Sequence, residues 1–167
     1  MLNQEGEPDW MAEFARHRSG DSHHAGASLP VDFVPRLSET HDLNRVVAEV
    51  VEASFRLHTD LGPGLLESTY ERILERSLQR RGLRVRRQQY CDFLYDGLLF
   101  RHALRLDLLI EDSIVVELKA EHALQSAHQK QVVSYLRLLN LRLGLLINFG
   151  APRLKQGFRR IINPDLW

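Results

Sequence analysis

The sequence predicts an α/β domain built on a mixed β-sheet flanked by helices, and three observations carry that expectation. Two successive segments between Asp42 and Gly82 place apolar residues at helical spacing. Three strand-like segments joined by tight turns follow, and then one more helical segment leads into a final apolar strand. Hairpin-linked strands pair antiparallel, whereas a strand reached through a crossover helix can pair in parallel, so the sheet is mixed.

Taken in order, residues 1–40 are rich in Gly, Ser, His, Asp and Pro without a sustained period and read as a flexible arm, leaving 41–167 as the folded domain. Leu43, Val46, Val47, Val50, Val51, Phe55 and Leu57 form the apolar side of a first helix that Leu61-Gly62-Pro63-Gly64 breaks. A second helix is expected from near Gly64, with Leu66, Tyr70, Ile73, Leu74 and Leu78 inward and Gly82 as its C-terminal cap. Residues 84–95 read as a strand running into Asp96-Gly97, a strong hairpin signal, and the chain returns through 99–110. A second reversal at Glu111-Asp112-Ser113 leads to the strand IVVELKA, residues 114–120. Ser126–Asn140 is helical through Val132, Val133, Leu136 and Leu139, and Leu143–Asn148 is a short apolar strand.

Composition narrows the function. No apolar run approaches the roughly 20 residues needed to cross a bilayer, and the first thirty residues lack the basic start and apolar stretch of a secretory leader. Cys91, the single cysteine, has no internal disulfide partner, so a reducing cytoplasm is the expected setting. Formal charge is zero, yet residues 1–79 carry 7 Lys+Arg against 14 Asp+Glu while residues 80–167 carry 15 against 8. Arg80, Arg81, Arg84, Arg86 and Arg87, and later Arg153, Lys155, Arg159 and Arg160, are either solvated charge or an attraction for a polyanion. The eight histidines show no zinc-ligand spacing, His58 reads as a satisfied inward histidine, and neither a P-loop nor a Gly-x-Ser-x-Gly elbow is present.

The chemistry concentrates in the middle strands. Ile114, Val116 and Leu118 should face one way and Val115, Glu117 and Lys119 the other. On the preceding strand, His102, Leu104, Leu106 and Leu108 should share one face and Arg105, Asp107 and Leu109 the opposite one. If Glu111-Asp112-Ser113 is a three-residue loop, Ile110 pairs with Ile114 and Asp107 falls opposite Glu117, with Cβ atoms about 5 Å apart. A two-residue loop would set Asp107 against Val116 and separate the acids. Two carboxylates that close repel unless a cation lies between them, and a hard divalent ion such as Mg²⁺ suits their oxygens. Lys119 could orient an attacking water or offset charge on a pentavalent phosphate, although an isolated Glu-x-Lys is more often a surface ion pair.

LGPGLLESTY resembles the signature of the bacterial GxxExxY proteins through Gly64, Glu67 and Tyr70, a group placed in the PD-(D/E)XK nuclease superfamily. RLDLLIEDSIVVELKA resembles the superfamily's acid and acid-x-lysine core through Asp107, Glu117 and Lys119, with Leu106 where a proline often stands. HQKQVVSYL is similar to the QxxxY element of RecB-type exonuclease domains through Gln131 and Tyr135. The resemblance covers roughly residues 43–162. It implies a restriction-endonuclease-like αβββαβ core, a metal site of Glu67, Asp107 and Glu117, and Lys119 beside it as a catalytic group.

Physical readings stand beside those implications. Glu67 falls in the first turn after a Gly-Pro-Gly loop, either as a third ligand or as a complement to the helix dipole. Tyr70, one turn later, is either a bonded core tyrosine or a substrate contact. His128, Gln131 and Tyr135 share a helix face that could steady the lysine or touch a phosphate, and simple exposure also accounts for His128. Asn148 closes the last strand and could reach the same cleft. The function expected is a Mg²⁺- or Mn²⁺-dependent nuclease, acting on DNA rather than RNA, with Arg153, Lys155, Arg159 and Arg160 tracking the backbone. The rival is a binding module that keeps the fold without catalysis and docks nucleic acid, or a protein partner through its cleft or its acidic arm.

Overall fold

A computed structural model describes residues 43–166. The expected arm over residues 1–40, with His23 and His24, lies outside them. Helix α1 (Leu43–Leu61) buries Val46, Val47, Val50, Ala53 and Leu57. Val51 and Phe55, expected in the same stripe, are exposed, because they sit about 100° or more round the helix from its buried centre. Gly62 and Gly64 both have positive φ, which delays helix α2 (Glu67–Arg80) to Glu67 rather than Gly64. Tyr70, Leu74 and Leu78 turn inward as expected, while Leu66 and Ile73 stay exposed. The helix closes at Gly82 (φ 80°), where Leu83 N–H donates to the Leu78 carbonyl at 3.2 Å.

Strands β1 (Val85–Tyr95) and β2 (Leu98–Ile110) meet at Asp96-Gly97, where both residues take positive φ, the backbone of a type I′ turn. Glu111-Asp112-Ser113 is the three-residue loop, so β3 (Ile114–Lys119) pairs Ile110 with Ile114, Leu109 with Val115 and Leu108 with Val116. Helix α3 (Ser126–Leu138) then carries the chain across to β4 (Leu143–Asn148), which lies parallel to β3 from Ile114↔Leu143 to Lys119↔Asn148. Two elements were not expected: the short helix α4 (Leu154–Gly157) and strand β5 (Phe158–Ile162), antiparallel to β4. Two arginines in five residues hide the strand period in FRRII. The sheet runs β1-β2-β3-β4-β5.

Two apolar clusters sandwich it. One packs α1 and α2 on Leu108, Ile110, Ile114, Val116, Leu118, Leu145 and Ile147; the other packs α3 on Leu104, Leu106, Leu109, Val115, Leu146 and Ile161. Burial on both faces explains why β3 and β4 read as near-continuous apolar runs. Leu108 was expected to share a face with Leu104 and Leu106, but it packs in the opposite cluster. The alternation slips at Asp107, opposite Gln88, whose φ of 51° interrupts the β1–β2 ladder there. Pairing between β2 and β3 stops one residue later, at Leu108, so Gln89–Leu106 continues as a two-stranded arm. Cys91, Leu104 and Leu106 anchor that arm on α3. Burial holds the Cys91 thiol up at about 12, which leaves it a packing group.

Candidate active site

The arm leaves the sheet at the position where the acids converge. Asp107 Oδ2 accepts the Leu118 N–H at 2.8 Å, reaching across to β3 just where the backbone ladder has ended. Beside it on β3, Lys119 Nζ donates to Glu117 Oε1 at 2.7 Å. Glu117 is 2% exposed, and its other oxygen, Oε2, has no hydrogen-bond partner. A buried carboxylate oxygen left unpaired costs roughly 1–3 kcal/mol, so it marks a place where an external donor or cation would be welcome.

Electrostatics tie the groups into one neighbourhood. Burial raises the Glu117 carboxyl to about 7, and the charges of Asp107 and Glu67 add to that rise against the pull of Lys119. Burial also raises Asp107, opposed by the Leu118 amide, Lys119, Arg105 and Gln88. Glu67 is raised by burial and by Asp107, Glu121 and Glu71, with Lys119 opposing. Burial works against the Lys119 ammonium, but its bond to Glu117 and the charges of Glu117, Glu67 and Asp107 hold it above its ordinary value. Burial thus works against the anionic form of each carboxyl, and the nearby cations Lys119 and Arg105 offset only part of it.

Among the described residues, no three His, Cys, Asp or Glu side chains stand arranged to hold a metal ion. The expected trio of Glu67, Asp107 and Glu117 is therefore gathered electrostatically without closing into a cage. Asp107 and Glu117 still fit a hard divalent ion, because Mg²⁺ is commonly held by one or two carboxylates and completes its shell with water and substrate phosphate. The orphaned Glu117 Oε2 is the donor that such an ion would engage.

Sequence reasoning missed the second layer. Glu71, one turn after Glu67, is 2% exposed and accepts from Arg87 at 2.9 Å and from Gln88 Nε2 at 2.7 Å. Gln88 Nε2 also lies 3.4 Å from Asp107 Oδ1. The only available signal was the four-residue spacing of Glu67 and Glu71, which puts both on one helix face. Nothing in the sequence singled out Gln88.

Other expected site residues have definite places. Tyr70 is a core residue: its hydroxyl donates to the Gly62 carbonyl at 2.6 Å and accepts the Leu65 N–H at 3.1 Å, and its ring stacks on Phe149 at 4.5 Å. It fixes the loop that presents Glu67. Gln131 Nε2 donates to the Tyr135 hydroxyl at 3.0 Å, and both are half-buried on α3. His128 Nδ1 accepts the Gln125 N–H at 3.3 Å, capping α3, which leaves the Nε2 proton towards Glu121. His58 Nε2 donates to the Ala151 carbonyl at 2.8 Å, as a satisfied histidine should. Asn148 accepts from the Glu121 and Gly150 amides and donates to the Glu121 carbonyl, so it braces a loop and does not face the cleft.

The basic groups do not form one track. Arg81, Arg84, Arg86 and Arg87 are each paired with acids, among them Glu49, Glu111, Asp112, Glu71 and Glu75. Arg159 and Arg160 are successive β5 residues opposite Leu146 and Leu145, so they point to opposite sheet faces. Arg160 donates to Asn44 at 3.1 Å, while Arg153 and Lys155 are exposed round the short helix α4.

A mixed sheet carrying an acid on one strand and an acid-x-lysine on the next, with helices on both faces, is the restriction-endonuclease-like architecture. The family model of the PD-(D/E)XK nuclease superfamily matches residues 44–161, and the chain belongs to that superfamily. No curated protein and no solved structure matches the chain. No helix among the described residues is long and apolar enough to cross a membrane.

Proposed function

We propose that this protein is a cytoplasmic, metal-dependent nuclease of the GxxExxY type that hydrolyses phosphodiester bonds in nucleic acid, with DNA as the preferred substrate. The observation that carries this reading is the unpartnered Glu117 Oε2 inside a cluster of raised carboxyls, beside a lysine held in place by the same residue. Asp107 and Glu117 would hold Mg²⁺ or Mn²⁺, and Glu67, whose charge acts on Glu117, would add to the negative potential that attracts the ion. Such an ion, when bound, polarises a phosphate and lowers the pKa of water.

The chain's own residues do the rest. The Leu118 amide and Gln88 fix the Asp107 carboxylate, and Glu117 aims the Lys119 ammonium at the space beside it. Lys119 orients the attacking water and offsets charge that builds on the phosphate oxygens. Gln131 and Tyr135 offer a paired amide and hydroxyl for substrate, and Arg153, Lys155, Arg159 and Arg160 offer phosphate contacts that salt would weaken. Residues 1–40 supply the surface for a protein partner.

Cleavage of single- and double-stranded DNA and RNA with Mg²⁺ or Mn²⁺ tests this, alongside Glu117→Ala and Lys119→Ala. The reading expects both variants to bind nucleic acid and to lose cleavage by at least about 100-fold. A wild-type protein that cleaves nothing with either metal would instead be a binding module on a nuclease scaffold.

A further inference from the structure

The β1–β2 arm begins at Asp107 and carries an aromatic and cationic surface that the proposed chemistry does not use. Its α3-facing side is accounted for by Cys91, Leu104 and Leu106 in the core. On its other side Tyr90 pairs directly with Arg105, two residues before Asp107, and both are exposed. His102 completes the surface: its ring meets Tyr90 edge to face, with centroids 5.7 Å apart. This contact is built in, because the register shifts between Cys91 and Phe93 and His102 takes a φ of 51°. The nine-tenths-buried Asp92 fixes that bulge by accepting the His102 N–H at 2.7 Å. Arg101, also exposed, lies beside it in sequence. The charge of Arg105 reaches Asp107 itself, where it opposes the burial that raises that carboxyl.

An exposed tyrosine and histidine with their rings inclined at 62°, flanked by arginines, match the needs of a flexible polyanion with flat bases. Bases stack on aromatic rings whatever their identity, and arginine takes the phosphates between them. A duplex hides its base faces, so only an unpaired strand can use the rings. We propose that Tyr90, His102 and Arg105 form a single-strand nucleic-acid site that holds the strand leaving the Asp107–Glu117 centre. The proposal rests on the nuclease reading for its direction and deepens it, naming an unpaired strand as substrate.

The test is equilibrium binding, read without divalent metal so that cleavage does not enter. The full chain is titrated with fluorescently labelled single-stranded DNA, single-stranded RNA of the same sequence, and blunt duplex DNA. Tyr90→Ala should weaken binding of at least one single strand by roughly ten-fold while duplex binding changes less than about two-fold; Tyr90→Phe should bind as wild type does. Arg105→Ala should lower single-strand affinity and flatten its salt dependence by about one phosphate contact. Equal losses for single strand and duplex, an unaltered single-strand affinity in Tyr90→Ala, or no binding by wild type overturns the site. Single-strand binding that depends on Tyr90 in a protein that cleaves nothing would keep the site and remove the nuclease reading. Cleavage that survives with binding indifferent to Tyr90 would do the reverse.

Discussion

Glu117 gives the fold a distinct dependence on pH. Its folded carboxyl titrates near 7 against an ordinary value of 4.5, so between those limits the folded state binds the extra proton. Stability therefore falls as pH rises through that window and levels off above it, with Asp107 and Glu67 adding to the same slope. Lys119 adds stability that disappears only above its ordinary value of 10.5, well outside the window. Thermal melts of the metal-free protein should show its midpoint dropping between about pH 5 and pH 8, by on the order of 1–3 kcal/mol in stability. Glu117→Gln should remove most of the slope. Mg²⁺ should restore wild-type stability above pH 7, by about 2.7 kcal/mol at a hundredfold excess over Kd, and should leave Glu117→Gln unchanged. A second residue-scale outcome concerns Gln88. Replacing it with Ala keeps the backbone conformation but orphans a buried Glu71 oxygen, so urea unfolding should show a loss of about 1–3 kcal/mol. At this scale the sequence was readable where a spacing could be recognised: Asp107, Glu117, Lys119 and Glu67, singled out together, do act on one another's charge in the fold. Gln88 and Glu71 were not readable, because each acts through a partner that only the folded chain brings near.

At the scale of elements, two glycines separate conformational from steric cost. Gly97 has a φ of 74° and nothing within 4 Å of an added Cβ, so Gly97→Ala should lose only about 1 kcal/mol, through backbone strain at the turn. Gly144 has no such φ, but its Cβ would stand 2.5 Å from Val132 Cγ1 and 3.4 Å from Leu136 Cδ1. Val132 is β-branched and stiff, so Gly144→Ala should push α3 off β4 and cost about 1–3 kcal/mol or more in denaturant melts. The loops announced themselves well: Asp96-Gly97 turned β1 into β2, and Glu111-Asp112-Ser113 fixed the β2–β3 register, from which Asp107 reaches the Leu118 amide next to Glu117. The slip of β2 at Asp107 left no trace in the sequence, because leucines at positions 104, 106 and 108 look the same whichever cluster receives them. Strand β5 stayed hidden for a related reason: an edge strand can expose Arg159 and Arg160, and so loses the apolar signature of its neighbours.

For the molecule as a whole, the charge map differs from the one its composition suggests. The Arg81–Arg87 cations serve as internal ties to acids on α1, α2 and the β2–β3 loop. Arg81→Ala, with its 2.7 Å bond to Glu49, should therefore lower stability by about 0.5–1 kcal/mol without changing nucleic-acid affinity. Arg153→Ala with Lys155→Ala should do the opposite, leaving the melt unchanged and reducing the salt slope of binding by close to two contacts. A titration against salt and a thermal melt on each variant separate the two behaviours.

The clamp that Tyr70 makes on Gly62 and Leu65, with Phe149 at its back, divides the labour within the Gly64, Glu67, Tyr70 pattern. The glycine, through its backbone, and the tyrosine, through its bonds, shape the loop, and only the glutamate is left to carry the chemistry proposed above. A homologue that retained the outer two letters and exchanged the middle one would advertise the same scaffold with its chemistry withdrawn, so the pattern is informative about reaction only when all three letters are read.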